Sequence, residues 1–289
     1  MAGYPQRMTT IPTLTLNDGH IIPQLGYGTY LVSPDDTAEA VRLALEAGYR
    51  HIDTAEMYEN ERGVGEGVRA SGLSRDEVYI TSKLSNGAHR ADDARRAFDT
   101  TLAELGVDFV DLFIIHWPLP TRYDGDYVST WKVLEEVQRD GRARSIGVSN
   151  FEIGHLERLA AETGTVPAVN QIEVHPYLTN DDVRAYGQEH GIVTEAWSPL
   201  ARGKILSDPV ITGIAERLER TPSQVVLRWQ VQRGDVVFPK TMSPTRMREN
   251  LDIFGFELGA DDLERITGLD QGEAGRIGPH PDTFDWVGG

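Results

Sequence analysis

The chain has 289 residues, 39% of them apolar and 25% charged, with no cysteine and a formal charge of −17 from 28 basic and 45 acidic residues. That charge repels nucleic acid and anionic membrane surfaces at long range, the missing thiols exclude a disulfide framework and a thiolate zinc site, and no apolar run is long enough to span a bilayer. An anionic cofactor would meet the same repulsion, so a site for one needs a local cluster of Lys and Arg to reverse the sign.

The opening MAGYPQRMTT lacks the apolar centre of a secretory signal and is read as a loose end outside the fold, which leaves a cytoplasmic location as the expectation. A single domain is expected over 1–289, with a core over about 10–270 and a short C-terminal tail over 271–289. A hairpin comes first, TLTL and HIIP around Asn17-Asp18-Gly19. From there, apolar strand-type runs alternate with segments of helical period. Candidate strands end near Gly28, Asp53, Lys83, His116, Ser149, Gln171, Trp197 and Lys240. Between them lie DDTAEAVRLALEAG, ADDARRAFDTTLAELG, TNDDVRAYGQEHG and SPTRMRENLDIFG, whose polar openings and closing glycines are helix caps. Repeated strand and helix units imply parallel strands. Eight such units predict closure into a (β/α)8 TIM barrel, with an open doubly wound sheet as the competitor.

Groups capable of chemistry gather where the predicted strands end, the face on which barrel enzymes build their sites. RHIDTA supplies Asp53, the following EMYENE supplies Tyr58, YITSK supplies Lys83 and LFIIHW supplies His116. Reducing a carbonyl by hydride transfer builds negative charge on its oxygen and calls for a nearby acid and fixed dipoles. Tyrosine, with a free pKa near 10, must be tuned to serve. An ammonium about 4 Å away, at an effective dielectric of about 20, favours the phenolate by roughly 4 kcal/mol. At about 1.4 kcal/mol per pH unit, that lowers the pKa by up to about three. Lys83 takes this part, Asp53 keeps the lysine charged, and His116 orients the carbonyl. Singly, each residue has a plainer reading: a core or surface tyrosine, a helix cap, a solvated lysine, a core histidine. It is the set that points to chemistry.

One decoy is rejected. Gly65-Glu66-Gly67-Val68-Arg69-Ala70 has Rossmann-like glycines, but about a dozen residues separate it from the preceding strand, where the fingerprint requires a tight turn. These glycines are expected to let a helix pack closely.

DTAEMYENERGVGEGV, the HWP at 116–118, GVSNF, VNQIEVHP and EAWSPL occur in this order between about Thr13 and Leu269 and resemble the aldo-keto reductases. With short loops after His116 and Leu200, the chain most resembles the compact bacterial members that reduce diketo sugar acids and small dicarbonyls. The resemblance implies a monomeric NADPH-dependent reductase with Asp53, Tyr58, Lys83 and His116 as its catalytic tetrad. It implies that Ser149, Asn150 and Gln171 hold the nicotinamide carboxamide, that Trp197 stacks on the ring where many members carry Tyr, and that Gly28, Thr29 and Tyr30 lie along the cofactor. Ser198, Pro199 and Leu200 would line the pyrophosphate path. Lys240, Thr241 and Arg246 would surround the adenosine 2′-phosphate, with Arg248 in the same basic segment and with Glu249, where Gln is frequent, and Asn250 at the adenine. Tyr30, Met57, Tyr58, His116 and Trp117 would line the pocket for a small carbonyl substrate, joined less directly by the tail aromatics Phe284 and Trp286. The short tail implies an open pocket. Two competitors remain: a non-catalytic NADPH-binding regulatory subunit on the same barrel, and a metal-dependent hydrolase using His51, His116 and His175, for which no HxH or HExxH spacing occurs.

Overall fold

The computed structural model describes residues 11–288, so the opening MAGYPQRMTT lies outside the described residues. Strands β1 (Thr13–Thr15) and β2 (Ile21–Pro23) form the expected antiparallel hairpin, turned at Gly19 with φ +89°. Leu16 and Ile22 point from it into one apolar cluster with Leu112, Ile114, Val169 and Val236. The hairpin therefore plugs one end of the sheet that follows.

That sheet alternates with helices along the chain: β3 (Tyr27–Gly28), α1 (Pro34–Ala47), β4 (His51–Asp53), α2 (Glu61–Ala70), β5 (Tyr79–Leu84), α3 (Ala91–Leu105), β6 (Val110–Ile115), α4 (Val128–Arg139), β7 (Ala143–Ser149), α5 (Ile153–Glu162), β8 (Val169–Glu173), α6 (Asp181–Glu189), β9 (Val193–Trp197), α7 (Pro209–Leu218), α8 (Pro222–Gln232), β10 (Val236–Val237), α9 (Pro244–Leu251) and α10 (Ala260–Thr267). Strands β3 to β10 pair in parallel, each with its neighbour in chain order. Leu25 bridges in parallel to Val237, Gly26 N–H donates to Val237 O at 2.7 Å, and Val237 N–H donates to Gln24 O at 3.1 Å. These bonds join the last strand to the first, so the sheet is a barrel and the doubly wound alternative falls.

Helix boundaries follow local chemistry. The Ser33 hydroxyl accepts from Asp36 N–H and Pro34 opens α1, while Gly48 closes it at φ +121°. Gly106 closes α3 at φ +66°. In α2, a Cβ on Gly65 would lie 1.9 Å from Leu105 O and one on Gly67 would lie 2.6 Å from Ala38 O. The decoy glycines thus sit inside a helix and let it press against α1 and the end of α3.

Three expectations need correction. β10 stops at Val237, three residues short of Lys240, because Phe238-Pro239 leads out of the sheet and Pro has no N–H to continue a ladder. β8 runs past Gln171 to Glu173. The tail is not apart from the core: Glu173 accepts the N–H groups of Ile277 (2.7 Å) and Gly278 (2.9 Å), Arg122 pairs with Asp285, and Asn86 donates to Trp286 O at 2.8 Å. These bonds tie 277–286 to Glu173 at the end of β8 and to the segments that follow β5 and β6.

Candidate active site

Asp53 ends β4 and Lys83 lies one strand away in β5, and both turn into the barrel. Lys83 Nζ donates to Asp53 Oδ1 at 2.7 Å and to Thr54 O at 2.7 Å, with the lysine wholly buried. Burial opposes the ammonium, but Asp53 and the Tyr58 phenol outweigh it and hold Lys83 above the ordinary lysine value. The lysine is therefore charged.

Tyr58 ends a short turn over Glu56–Tyr58. Buried Asn60 anchors that turn: its Nδ2 donates to Thr29 O and Val32 O, each at 3.1 Å, and its Oδ1 accepts from Thr54 Oγ1 at 2.9 Å. The Tyr58 ring lies 5.0 Å from Lys83 Nζ, 5.2 Å from the Tyr30 ring and 5.8 Å from the His116 ring. Burial pushes the phenol up to about 12, while Lys83 pulls the other way. The expectation that Lys83 would bring this tyrosine toward neutral pH is thus corrected, because desolvation of the phenolate is the larger effect. His116 follows β6; burial first, and then Lys83, hold its pKa well below the usual value. A neutral imidazole keeps one N–H to donate.

Next to these four groups, Ser149 Oγ donates to Gln171 O at 2.7 Å, and Asn150, in the left-handed region at φ +62°, donates through Nδ2 to His116 O at 2.9 Å and Ser149 Oγ at 3.0 Å. Trp197 Nε1 donates to Asn150 Oδ1 at 2.8 Å. The indole N–H can only donate, so this bond fixes which end of the Asn150 amide faces which neighbour. Gln171 Nε2 donates to Asp53 Oδ2 at 2.9 Å and to Glu195 Oε2 at 3.0 Å. The two halves of the site are joined through this nitrogen and through Asn150 Nδ2.

The remaining expected residues fall as follows. Gly28 has no room for a side chain, since a Cβ would lie 2.6 Å from Phe238 O. Thr29 is buried, with its hydroxyl donating to Asp53 O at 3.1 Å. Ser198 is left-handed at φ +50°, opening the irregular stretch that holds Pro199 and Leu200 before α7. Lys240 before α9, Arg246 in its first turn and Arg248 in its last are exposed, and among the described residues none has a carboxylate within 4.0 Å. Thr241 is buried, Glu249 is half-buried and Asn250 is buried on the inner side of α9. Trp117 packs on Phe284 with ring centroids 4.3 Å apart, Met57 accepts Asn86 N–H on its sulfur, and Trp286 is exposed. His51 and His175 do not join His116: they hydrogen-bond Thr81 and Glu173, each at 2.9 Å.

Across residues 24–271 the chain matches the Aldo/keto reductase family. The chain belongs to the aldo-keto reductase family. It is 48% identical to an aldo-keto reductase of Mycolicibacterium smegmatis over 96% of its own length and 99% of the relative's. It is 45% identical to a methylglyoxal reductase of Yersinia pestis over the same shares of the two chains. Among solved structures, a Gox0644 mutant in complex with NADPH superposes with a TM-score of 0.92 at 45% identity, covering 96% of this chain and 100% of the other. The reductase is thus an NADP-dependent oxidoreductase. Among its described residues no helix is long and apolar enough to cross a membrane.

Sequence reasoning missed several groups at this candidate site. Thr54 holds Lys83 through a backbone carbonyl, which no side-chain pattern reveals. Asn60 and Glu173 tie loops to the barrel. Glu195 left one visible trace, a carboxylate in the middle of a strand.

Proposed function

We propose that the protein reduces aldehydes and ketones, small dicarbonyls or keto sugar acids, to alcohols with NADPH, and that Tyr58 donates the proton. The observation that carries the reading is the buried Lys83, bonded to Asp53 and Thr54 and 5.0 Å from the Tyr58 ring, with the His116 ring 5.8 Å from that tyrosine.

The residues present fit the cofactor. Ser149, Asn150 and Gln171 keep acceptor oxygens for an amide N–H2, Trp197 offers a flat half-buried face, and the exposed Lys240, Arg246 and Arg248 supply local positive charge in a chain of net −17. Lysine and arginine suit the 2′-phosphate that separates NADPH from NADH. When bound, NADPH supplies the hydride.

The protein's own groups handle the oxygen. A substrate carbonyl accepts hydrogen bonds from the Tyr58 hydroxyl and the neutral His116 N–H, two donors aimed where negative charge develops. A phenol at about 12 remains protonated at neutral pH. The alkoxide formed is a far stronger base than a phenolate, water itself ionising near 15.7, so the proton moves downhill from Tyr58. Lys83 stabilises the phenolate left behind, and Asp53 keeps Lys83 charged while it does so. Trp117, next to His116 in the chain, packs on Phe284 and would supply an apolar wall for the substrate.

The test is NADPH oxidation against methylglyoxal, aromatic aldehydes, ketosteroids and sugar keto acids, repeated with NADH. Turnover of one or more carbonyl classes, with NADPH preferred, is expected. Tight NADPH binding with no turnover across the panel would instead indicate the regulatory subunit.

A further inference from the structure

Gln171 Nε2 carries two hydrogens, and a carboxyl oxygen stands in front of each: Asp53 Oδ2 at 2.9 Å and Glu195 Oε2 at 3.0 Å. Asp53 is already accounted for by Lys83. Glu195 is not. It lies on β9 two residues before Trp197, in register with Gln171 of β8 and Val236 of β10. Its side chain is wholly buried, and its Oε1 has no partner among the described residues.

A buried carboxyl with an unsatisfied oxygen costs stability, and an apolar side chain of similar volume would fill the place at lower cost. Local rules broken without a structural gain mark functional positions. The charged and titratable groups facing Glu195 are Asp53 from β4 and Lys83 and Tyr79 from β5, while β8 contributes the Gln171 amide and β10 only Val236. Burial, and then the Asp53 charge, raise the Glu195 pKa to about 8, so at neutral pH it is an uncharged acceptor.

The geometry points to Glu195 as a positioning residue for the nicotinamide end of the cofactor, which it serves by locking the Gln171 amide. With Asp53 alone, the amide could swing about a single hydrogen bond. The second anchor stops that rotation and commits both hydrogens to the barrel interior, leaving Oε1 as the end free to accept. Asn150 is locked in the same manner by the Trp197 indole, so both amides of the seat are oriented by neighbours before any ligand arrives. This inference rests on the proposed nicotinamide seat.

The test uses the full-length protein and two ligands, NADPH and 2′-phospho-ADP-ribose, which lacks the nicotinamide. Wild-type protein should bind NADPH much more tightly than the truncated ligand. Glu195→Leu should weaken NADPH binding about tenfold, leave 2′-phospho-ADP-ribose within twofold, and not lower the Tm. Glu195→Gln, which keeps an acceptor for Gln171 Nε2, should restore NADPH binding to within about twofold, even if the leucine variant fails to fold. In a Gln171→Ala background, Glu195→Leu should add nothing. An unchanged ratio of the two affinities in Glu195→Leu, or a full additional loss in the Gln171→Ala background, would overturn the role of Glu195 while leaving the seat intact. Should the wild-type protein bind both ligands equally, the nicotinamide seat itself is wrong and the inference falls with it.

Discussion

Replacing Lys83 by Met removes the ammonium from a pair in which the lysine is wholly buried and Asp53 is 2% exposed. Asp53 would be left with one side-chain donor, Gln171 Nε2 at 2.9 Å, and Thr54 O would lose the donor it has at 2.7 Å. Breaking a buried pair from one side costs about 3–5 kcal/mol, because the surviving charge stays buried. At about 2 °C per kcal/mol for a chain of this size, Tm should fall by about 6–10 °C. Burial already raises the Asp53 pKa, and losing Lys83 raises it further, so the variant can shed the unpaired charge by taking up a proton at low pH. The deficit should therefore be larger at pH 8 than at pH 5. The double variant Asp53→Asn/Lys83→Met, which leaves no charge behind, should recover at least half of the loss. Urea and thermal unfolding of the four proteins at both pH values measure all of this. The reasoning is wrong if Lys83→Met is as stable as wild type, or if the double variant loses the sum of the two single losses.

Other outcomes follow from the same contacts. Gly65→Ala places a methyl 1.9 Å from a backbone oxygen and should cost at least the upper end of the roughly 1–3 kcal/mol seen for overpacking, whereas Gly213→Ala in α7, with nothing within 4 Å, should gain about 0.5–1 kcal/mol; denaturation midpoints separate the two. Because the folded Glu195 pKa is raised from 4.5 to about 8, the folded state keeps a proton that the unfolded state releases between those values. Its contribution is fully present below pH 4.5 and is lost as pH rises through 8, by up to about 5 kcal/mol at about 1.4 kcal/mol per pH unit. Glu195→Gln should therefore show a flatter stability profile over that range, and an unchanged slope would count against the protonated carboxyl. Arg246→Ala removes a charge-assisted contact of about 1.5–3 kcal/mol and should weaken NADPH roughly tenfold or more while changing NADH by less than about threefold; equal losses would remove the 2′-phosphate from this cluster.

The barrel was legible because its signals are local: apolar strand-type runs, capped helices and closing glycines recur along the chain. Strand ends at Gly28, Asp53, Ser149 and Trp197 coincide with observed ends, since polar or special residues punctuate an apolar run there. Lys240 misled because a residue beyond Phe238-Pro239 reads as part of the apolar run but has left the sheet. Four residues at neighbouring strand ends could be placed on one face from topology alone. Their energetics could not. Whether Lys83 or burial governs Tyr58 depends on how much water reaches the phenol, which is a property of packing. The strap over 277–286 rests on backbone N–H groups meeting Glu173, a contact between residues about 100 apart, and nothing in the tail's composition announces it. Glu195 is intermediate, since an acid inside a barrel strand is visible, but its partner across β8 is not.

The central claim is that Tyr58 is the proton donor of an NADPH-dependent reductase, and Tyr58→Phe tests it most directly because the phenyl ring preserves the packing against Tyr30 and His116. NADPH affinity and single-turnover reduction should be measured on the same preparation with the best carbonyl from the panel. Affinity should stay within about threefold while the rate falls by about 10²–10⁴, the usual contribution of a general acid. A rate within tenfold of wild type at unchanged affinity would place the proton elsewhere and contradict the account.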